Sequence, residues 1–181
     1  MSWVEVETKI KVKDIKEARK KIKKIARFVK KEKKVDDYFS LEYFDYPEKS
    51  LRTRHRGKKI EVNFKQRKGY SGGVHAKEEV QFFVSDLDGF FNLINDFGFR
   101  NWMHKEKTTE LYQTKNKVNI ELNNVDKLGW FIEVEVLCNK KDIMEARKKV
   151  INVRRRLGYS MKDVEKRGYT KMLWDIGNKS G

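Results

Sequence analysis

Cysteine, proline and long apolar runs are what this sequence of 181 residues has least of. Cys138 is the only cysteine, which excludes an intramolecular disulfide and any cysteine-built metal site, and which fits a reducing cytoplasm. Pro47 is the only proline, and no Ser/Pro-rich linker breaks the chain. One domain over residues 1–176 is therefore expected, with 177–181 as a frayed tail. No apolar stretch approaches the roughly 20 residues a membrane helix needs, and Met1-Ser2-Trp3 leads into a strand pattern rather than a signal peptide. No membrane association and a cytoplasmic location are expected. The three histidines have no zinc-like spacing, and no GxxxxGK[ST] phosphate loop is present.

Positive charge is what the chain has in excess. Lys and Arg number 43 against 27 Asp and Glu, a formal net charge of +16. Such an excess attracts polyanions without saying which. The most informative stretch is the first, Val4 to Val12. Apolar or β-branched residues at 4, 6, 8, 10 and 12 alternate with Glu5, Glu7, Lys9 and Lys11, so a strand here has one apolar and one charged face. Glu5 and Glu7 would lie about 7 Å apart, within reach of a shared divalent cation.

From Asp14 to Lys34 the period changes. Ile15, Ala18, Ile22, Ile25, Ala26 and Val29 fall at helical spacing with Lys and Arg opposite, which predicts a helix over the whole stretch, capped by Asp14 with Glu17 at its third position. A solvated face is the common explanation of its basic side. Nucleic-acid binding is disfavoured as a reading, because the helix offers only one aromatic residue, Phe28, and its spacing puts that ring on the apolar side. Strand patterns then recur. Arg52, Arg54 and Arg56 share one face, as do Glu61, Asn63, Lys65 and Arg67, with Gly57-Lys58-Lys59 as the turn between them. Gln66 to Lys77 reads as a mobile, glycine-containing loop. Glu78 to Val84 is a strand, a helix of about ten residues follows Ser85, and Trp102–Tyr112, Lys117–Asn123 and Trp130–Leu137 are strands. In the last of these Glu133 and Glu135 share one face. A helix over Asp142–Leu157 precedes a short helix from Met161. The order suits an α+β domain with a largely antiparallel sheet.

The polar strand faces mix Arg, Lys and paired Glu rather than Ser, Thr and Gln. Fixed cations beside carboxylates are what a polyphosphate–metal complex requires: the cations neutralise phosphate oxygens and the carboxylates hold Mg or Mn. If the sheet curls with this face inward, the charges converge on one axis and amphipathic helices cover the apolar outside. So many like charges facing a single cavity are expected to need water, counter-ions or ligand.

Glu5-Val6-Glu7-Thr8-Lys9 matches ExExK, a signature that resembles the CYTH superfamily of triphosphate tunnel metalloenzymes. Asp37-Tyr38-Phe39 resembles its aspartate-tyrosine element and Leu51-Arg52-Thr53-Arg54 its LRxR strand. Lys65, Glu79 and Lys107 stand at its later charged strands. Leu122-Asn123-Asn124-Val125 followed by Leu128-Gly129-Trp130-Phe131-Ile132-Glu133-Val134-Glu135 resembles LDxVxxLGxFxEIE. The resemblance implies an eight-stranded antiparallel β-barrel, a tunnel with a polar interior. It implies Mg or Mn on Glu5, Glu7 and Glu133 with Glu135 beside them. It also implies catalytic phosphate contacts from Lys9, Arg52, Arg54, Lys65 and Lys107, with Glu79 and Asn123 in the substrate-binding set. The implied activity is hydrolysis of a small-molecule triphosphate by a monomer or homodimer. Alternatives are cyclisation of ATP to cyclic AMP, as in class IV adenylyl cyclases, or non-catalytic binding of polyphosphate or nucleotide. Three positions depart from the pattern: Asn123 for the usual aspartate, Gln81 for a glutamate and Thr109 for an arginine, with Arg56 or Arg67 as candidate replacements. Tyr169 is a candidate for closing one tunnel mouth or for simple packing.

Overall fold

The structure is a computed structural model. It describes residues 2–56 and 59–177, for Ser2, Arg56 and Arg67 the backbone alone. Gly57 and Lys58 of the expected turn, the side chains of the candidate replacements Arg56 and Arg67, and the tail beyond Gly177 fall outside that description.

Eight strands form one closed antiparallel barrel: β1 (Ser2–Lys11), β2 (Ala26–Ser40), β3 (Leu51–Arg56), β4 (Lys59–Ser71), β5 (Val74–Val84), β6 (Arg100–Thr114), β7 (Asn119–Val125) and β8 (Gly129–Cys138). Around the barrel the order is β1-β5-β4-β3-β2-β6-β7-β8, closed by pairing of β8 with β1. Four helices complete the chain: α1 (Ile15–Ile25), α2 (Leu87–Asp96), α3 (Ile143–Arg156) and α4 (Tyr169–Gly177). The expected eight-stranded tunnel is present. Among the described residues no helix is long and apolar enough to cross a membrane.

The period-two pattern explains why the core lies outside the barrel. On β1 the apolar set Val4, Val6 and Ile10 points outward and is buried with Ile120, Leu122, Ile132 and Val134 of β7 and β8. Ala18 and Ile22 of α1, Ala146, Val150 and Val153 of α3, and Leu157 at the C-cap of α3 close over them. Each such aliphatic side chain contributes about 1.5–3 kcal/mol on full burial. The same alternation leaves every charged face of these strands inside. Registers match charged with charged positions, Glu7 opposite Glu135, Lys9 opposite Glu133, Arg54 opposite Asp36 and Lys65 opposite Glu79.

Two expectations from periodicity are corrected. The helix predicted over Asp14–Lys34 stops at Ile25, and Ala26 is already extended. Residues 26–40 then pair with β6 along nearly the whole length of β2. Long-range pairing overrides local propensity here, because Val29 continued the apolar spacing only by coincidence. The loop expected over Gln66–Lys77 is a two-residue turn. β4 runs to Ser71, paired with Val74, and Gly72 and Gly73 have φ of +61° and +78°. Positive φ at both central residues is the demand of a type I′ hairpin turn.

An added Cβ at Gly73 would stand 2.6 Å from both Arg154 Nη1 and Met161 Sδ. Gly73→Ala should therefore destabilise the protein by about 1–3 kcal/mol through strain and crowding. Urea unfolding checks this, and an unchanged midpoint would contradict the turn geometry.

Candidate active site: a charge-lined tunnel

The barrel encloses a cavity of about 730 Å³. β1 contributes Glu5, Glu7 and Lys9, β2 Lys34 and Asp36, and β3 Arg52 and Arg54. Glu61, Asn63 and Lys65 come from β4, and Lys77, Glu79 and Gln81 from β5. β6 brings Lys105 and Lys107, β7 Glu121, and β8 Glu133 and Glu135. Basic and acidic side chains on the strand lining are equal in number. The expected excess of like charge inside is thus corrected: among the described residues the strand lining is formally neutral, and the chain's surplus of positive charge lies elsewhere.

The charges are organised as linked pairs. Arg54 donates two parallel bonds to Asp36, at 2.5 and 2.8 Å, and Lys105 reaches the same carboxylate at 2.9 Å. Asp36 is fully buried, and although burial opposes its charge, Lys105, Arg54 and Arg52 hold its carboxyl far below the usual range. Lys34 and Lys107 bind Glu121 at 2.6 and 2.9 Å, and Lys107 also lies 3.4 Å from Glu133. Lys65 binds Glu5 at 2.5 Å and Glu79 at 3.5 Å, and Arg52 binds Glu61 at 2.9 Å. Asn63 donates to Glu79, and Lys77 to Glu7. Burial alone would raise Glu7 and Glu121, but neighbouring ammonium groups outweigh it and hold both carboxyls low.

Glu135 and Glu5 behave in the opposite way. Burial raises both, and the nearby carboxylates push Glu135 well above the usual range. Glu5 and Glu7 of β1 and Glu133 and Glu135 of the adjacent β8 thus form a crowded set of hard oxygen donors. Carboxylates crowded together out of water are relieved by a divalent cation, which takes hard oxygen donors, so the donor chemistry fits Mg or Mn. Among the described residues, no three His, Cys, Asp or Glu are gathered to hold an ion as they stand. The carboxylates turn to lysine and amide partners instead.

The departures at 109 and 123 prove to be one feature. Thr109 lies directly opposite Asn123, and its hydroxyl donates to the Asn123 carbonyl oxygen at 2.6 Å. The Asn123 amide donates to Glu133 at 2.8 Å and Glu121 at 3.2 Å. A pair that would be aspartate and arginine in the resembled pattern is here a neutral pair, fully buried and satisfied. Asn123 steadies the carboxylates, and its acceptor is already taken.

One mouth is covered by α4. Tyr169 packs against Phe131 with ring centroids 5.1 Å apart. Lys9 Nζ stands 4.1 Å from the Tyr169 ring, with Lys105 and Lys107 each at 5.7 Å. Lys9 also donates to the Arg167 carbonyl at 3.1 Å. Tyr46 and Thr170 share a hydroxyl contact of 3.0 Å that ties the 41–50 segment to α4. Trp102 and Trp174 pack around Tyr46 at this rim.

Ten of the expected metal and phosphate ligands line this cavity, namely Glu5, Glu7, Lys9, Arg52, Arg54, Lys65, Glu79, Lys107, Glu133 and Glu135, and Asn123 touches two of its carboxylates. Asp37 is corrected. It points outward to His104 at 2.7 Å, while Asp36 takes the inward place. Sequence reasoning missed Lys34, Asp36, Lys77 and Lys105, and gave Glu61 and Glu121 no role. The alternation Lys34-Asp36-Tyr38 would have revealed two of them, had the helix not been extended over Lys34. Lys77 was hidden by the presumed loop.

The family model described as CYTH domain matches residues 4–169. A curated relative from Methanocaldococcus jannaschii, named "Putative adenylate cyclase", is 25% identical over 175 residues, covering 93% of this chain and 98% of its own. The solved structure of the PH1012 protein from Pyrococcus horikoshii is 30% identical, with a TM-score of 0.76 over 92% of this chain and 98% of that one. A Hippeastrum protein, "Putative adenylyl cyclase HpAC1", described as revealing a dominant triphosphatase activity, shares the fold at 13% identity and a TM-score of 0.58, over 85% of this chain and 88% of its own.

Removing Asp36 leaves Arg54 and Lys105 buried without their carboxylate. Asp36→Ala should cost about 3–5 kcal/mol by urea unfolding. Asp36 and Glu121 also set an acid dependence. Their folded pKa values are depressed, so their contribution is complete above the ordinary values of 3.8 and 4.5 and is lost as pH falls below them. Urea midpoints should decline steadily from about pH 4.5 downward, and a flat profile to pH 2 would contradict the ion pairing.

Proposed function

Because the chain belongs to the CYTH family, whose tunnel fold binds triphosphates, we propose that it is a metal-dependent enzyme that hydrolyses a phosphoanhydride bond of a small-molecule triphosphate. The observation that carries this reading is the pairing of every tunnel cation with a carboxylate beside a crowded Glu5/Glu7/Glu133/Glu135 set. A neutral lining cannot accept a polyanion alone without leaving buried charge uncompensated, so a cation must accompany it.

Lys9, Arg52, Arg54, Lys65 and Lys107 are the proposed phosphate contacts. Their donors are turned to Glu133, Glu61, Asp36, Glu5 and Glu121. An entering triphosphate replaces those carboxylates as acceptor for the lysines. Arg54 differs from them, because its bidentate hold on Asp36 keeps its guanidinium fixed and leaves its outer edge for substrate. Glu79 and Asn63 hold the β4–β5 wall, and Asn123 orients Glu133. Glu5, Glu7 and Glu133, with Glu135 beside them, would hold Mg or Mn, which when bound screens phosphate charge and polarises a phosphoryl oxygen. The α4 cover over Lys9 keeps bulk water from one end of the substrate.

Cyclisation of ATP is the second reading, favoured by the name of the Methanocaldococcus jannaschii relative. Incubation with tripolyphosphate, thiamine triphosphate or ATP, each with Mg or Mn, separates the two. Orthophosphate as the dominant product is expected; cyclic AMP as the dominant product from ATP would establish the second reading. Tight binding without turnover of any of the three would leave only a binding module.

Glu7→Gln keeps an acceptor for Lys77 but removes a charged metal ligand. It should abolish metal-stimulated turnover while the barrel stays folded by circular dichroism. Persistent turnover would refute the proposed metal site.

A further inference from the structure

The neutral tunnel leaves the chain's positive charge to be explained elsewhere. Residues 13–33 hold eleven Lys and Arg against three Asp and Glu, half of the net +16 in 21 residues. On α1, Lys16, Arg19, Lys20, Lys23 and Lys24 alone line a shallow depression of about 450 Å³. Among the described residues only Arg19 of these five has an acidic partner, Glu110 at 2.8 Å. The others stand three or four positions apart on one helix face, an arrangement that destabilises an isolated helix through like-charge repulsion. The fold leaves that repulsion unrelieved, which points to an anion supplied from outside.

The register change at Ala26 adds a second observation. Phe28 is not on the buried side of a helix: it lies on β2 and is 54% exposed. It joins the basic face through a continuous set of contacts. Arg19 grips Glu110, Tyr112 donates to Glu110 at 2.8 Å, and the Phe28 ring stands edge-on to Tyr112 at 5.5 Å. Lys31, opposite Glu110 in the β2–β6 ladder, is exposed beside it. An exposed ring linked in this way to a helix face rich in unpaired lysines suits a single strand, with phosphates on the lysines and a base on the ring. A lipid surface suits it poorly, because a helix that lies on a membrane needs its apolar face, and Ala18 and Ile22 are buried in the core.

We propose that the outer face of α1, with Phe28 of β2, is a binding surface for single-stranded nucleic acid, separate from the tunnel. Lys16, Lys20, Lys23 and Lys24 contact successive phosphates and Phe28 stacks on one base. The proposal does not depend on the hydrolytic reading, since none of these side chains lines the tunnel.

Fluorescence anisotropy with the full chain and a labelled single-stranded RNA of about 20 nucleotides tests it. A 5′-hydroxyl on the RNA removes any triphosphate end that the tunnel would take. Joint substitution Lys16→Glu, Lys20→Glu, Lys23→Glu and Lys24→Glu should weaken binding roughly a hundredfold at about 50 mM salt and flatten the salt slope by about 3. Circular dichroism verifies folding, and the corresponding Lys→Gln set provides a milder variant with an intermediate loss. Phe28→Leu keeps the packing on Tyr112 but should weaken RNA binding about tenfold, with no change in affinity for inorganic polyphosphate. Undiminished RNA binding by the charge variants overturns the site. An unaffected Phe28→Leu variant, or binding to phosphatidylserine vesicles in place of RNA, overturns the assignment to single-stranded nucleic acid.

Discussion

Charge compensation inside a closed barrel is the constraint on which the rest of this structure depends. A carboxylate or ammonium removed from water costs several kcal/mol, and no strand of this barrel could keep its polar face inside alone. Each cation therefore meets an anion from another strand: Arg54 of β3 with Asp36 of β2, Lys65 of β4 with Glu5 of β1, Lys107 of β6 with Glu121 of β7. These pairs hold the wall together. They also make its lysines exchangeable, because a phosphate can take the place of a carboxylate. Stability and binding use the same side chains.

The second consequence is an inverted core. With charge inside, the aliphatic residues of β1, β7 and β8 face outward, and α1 and α3 are needed to keep them from water. α1 is then amphipathic for two reasons, Ile22 toward the barrel and a row of lysines away from it. The neutral pair Thr109–Asn123 shows how local the compensation is. Losing one charge of each sign at facing positions leaves the lining balanced and its hydrogen bonds made.

Much of this was legible in the chain. Strict alternation in β1, β4 and β8 put Glu5, Glu7, Lys65, Glu133 and Glu135 on polar faces, and the order of motifs placed them in one tunnel. Asp36 and Asp37 were not separable, since two adjacent acids exchange faces with a shift of one residue. The boundary of α1 was equally hidden. Val29 satisfies a helical period as well as it fits a strand, and only the pairing with β6 decides between them. That boundary matters for function, because it moves Phe28 from an assumed core position to the surface.

The sequence by itself determined the alternation and, on β1, β3, β4 and β8, which carboxylates and cations share a polar face. Those follow from local periodicity, which each strand carries in its own residues. Which cation meets which anion, that the lining is neutral, that Asn123 and Thr109 satisfy each other, and that the net charge lies on the outer surface were decided only by the tertiary structure. Each of these is a relation between residues distant in the chain, fixed by barrel register and not by any single segment.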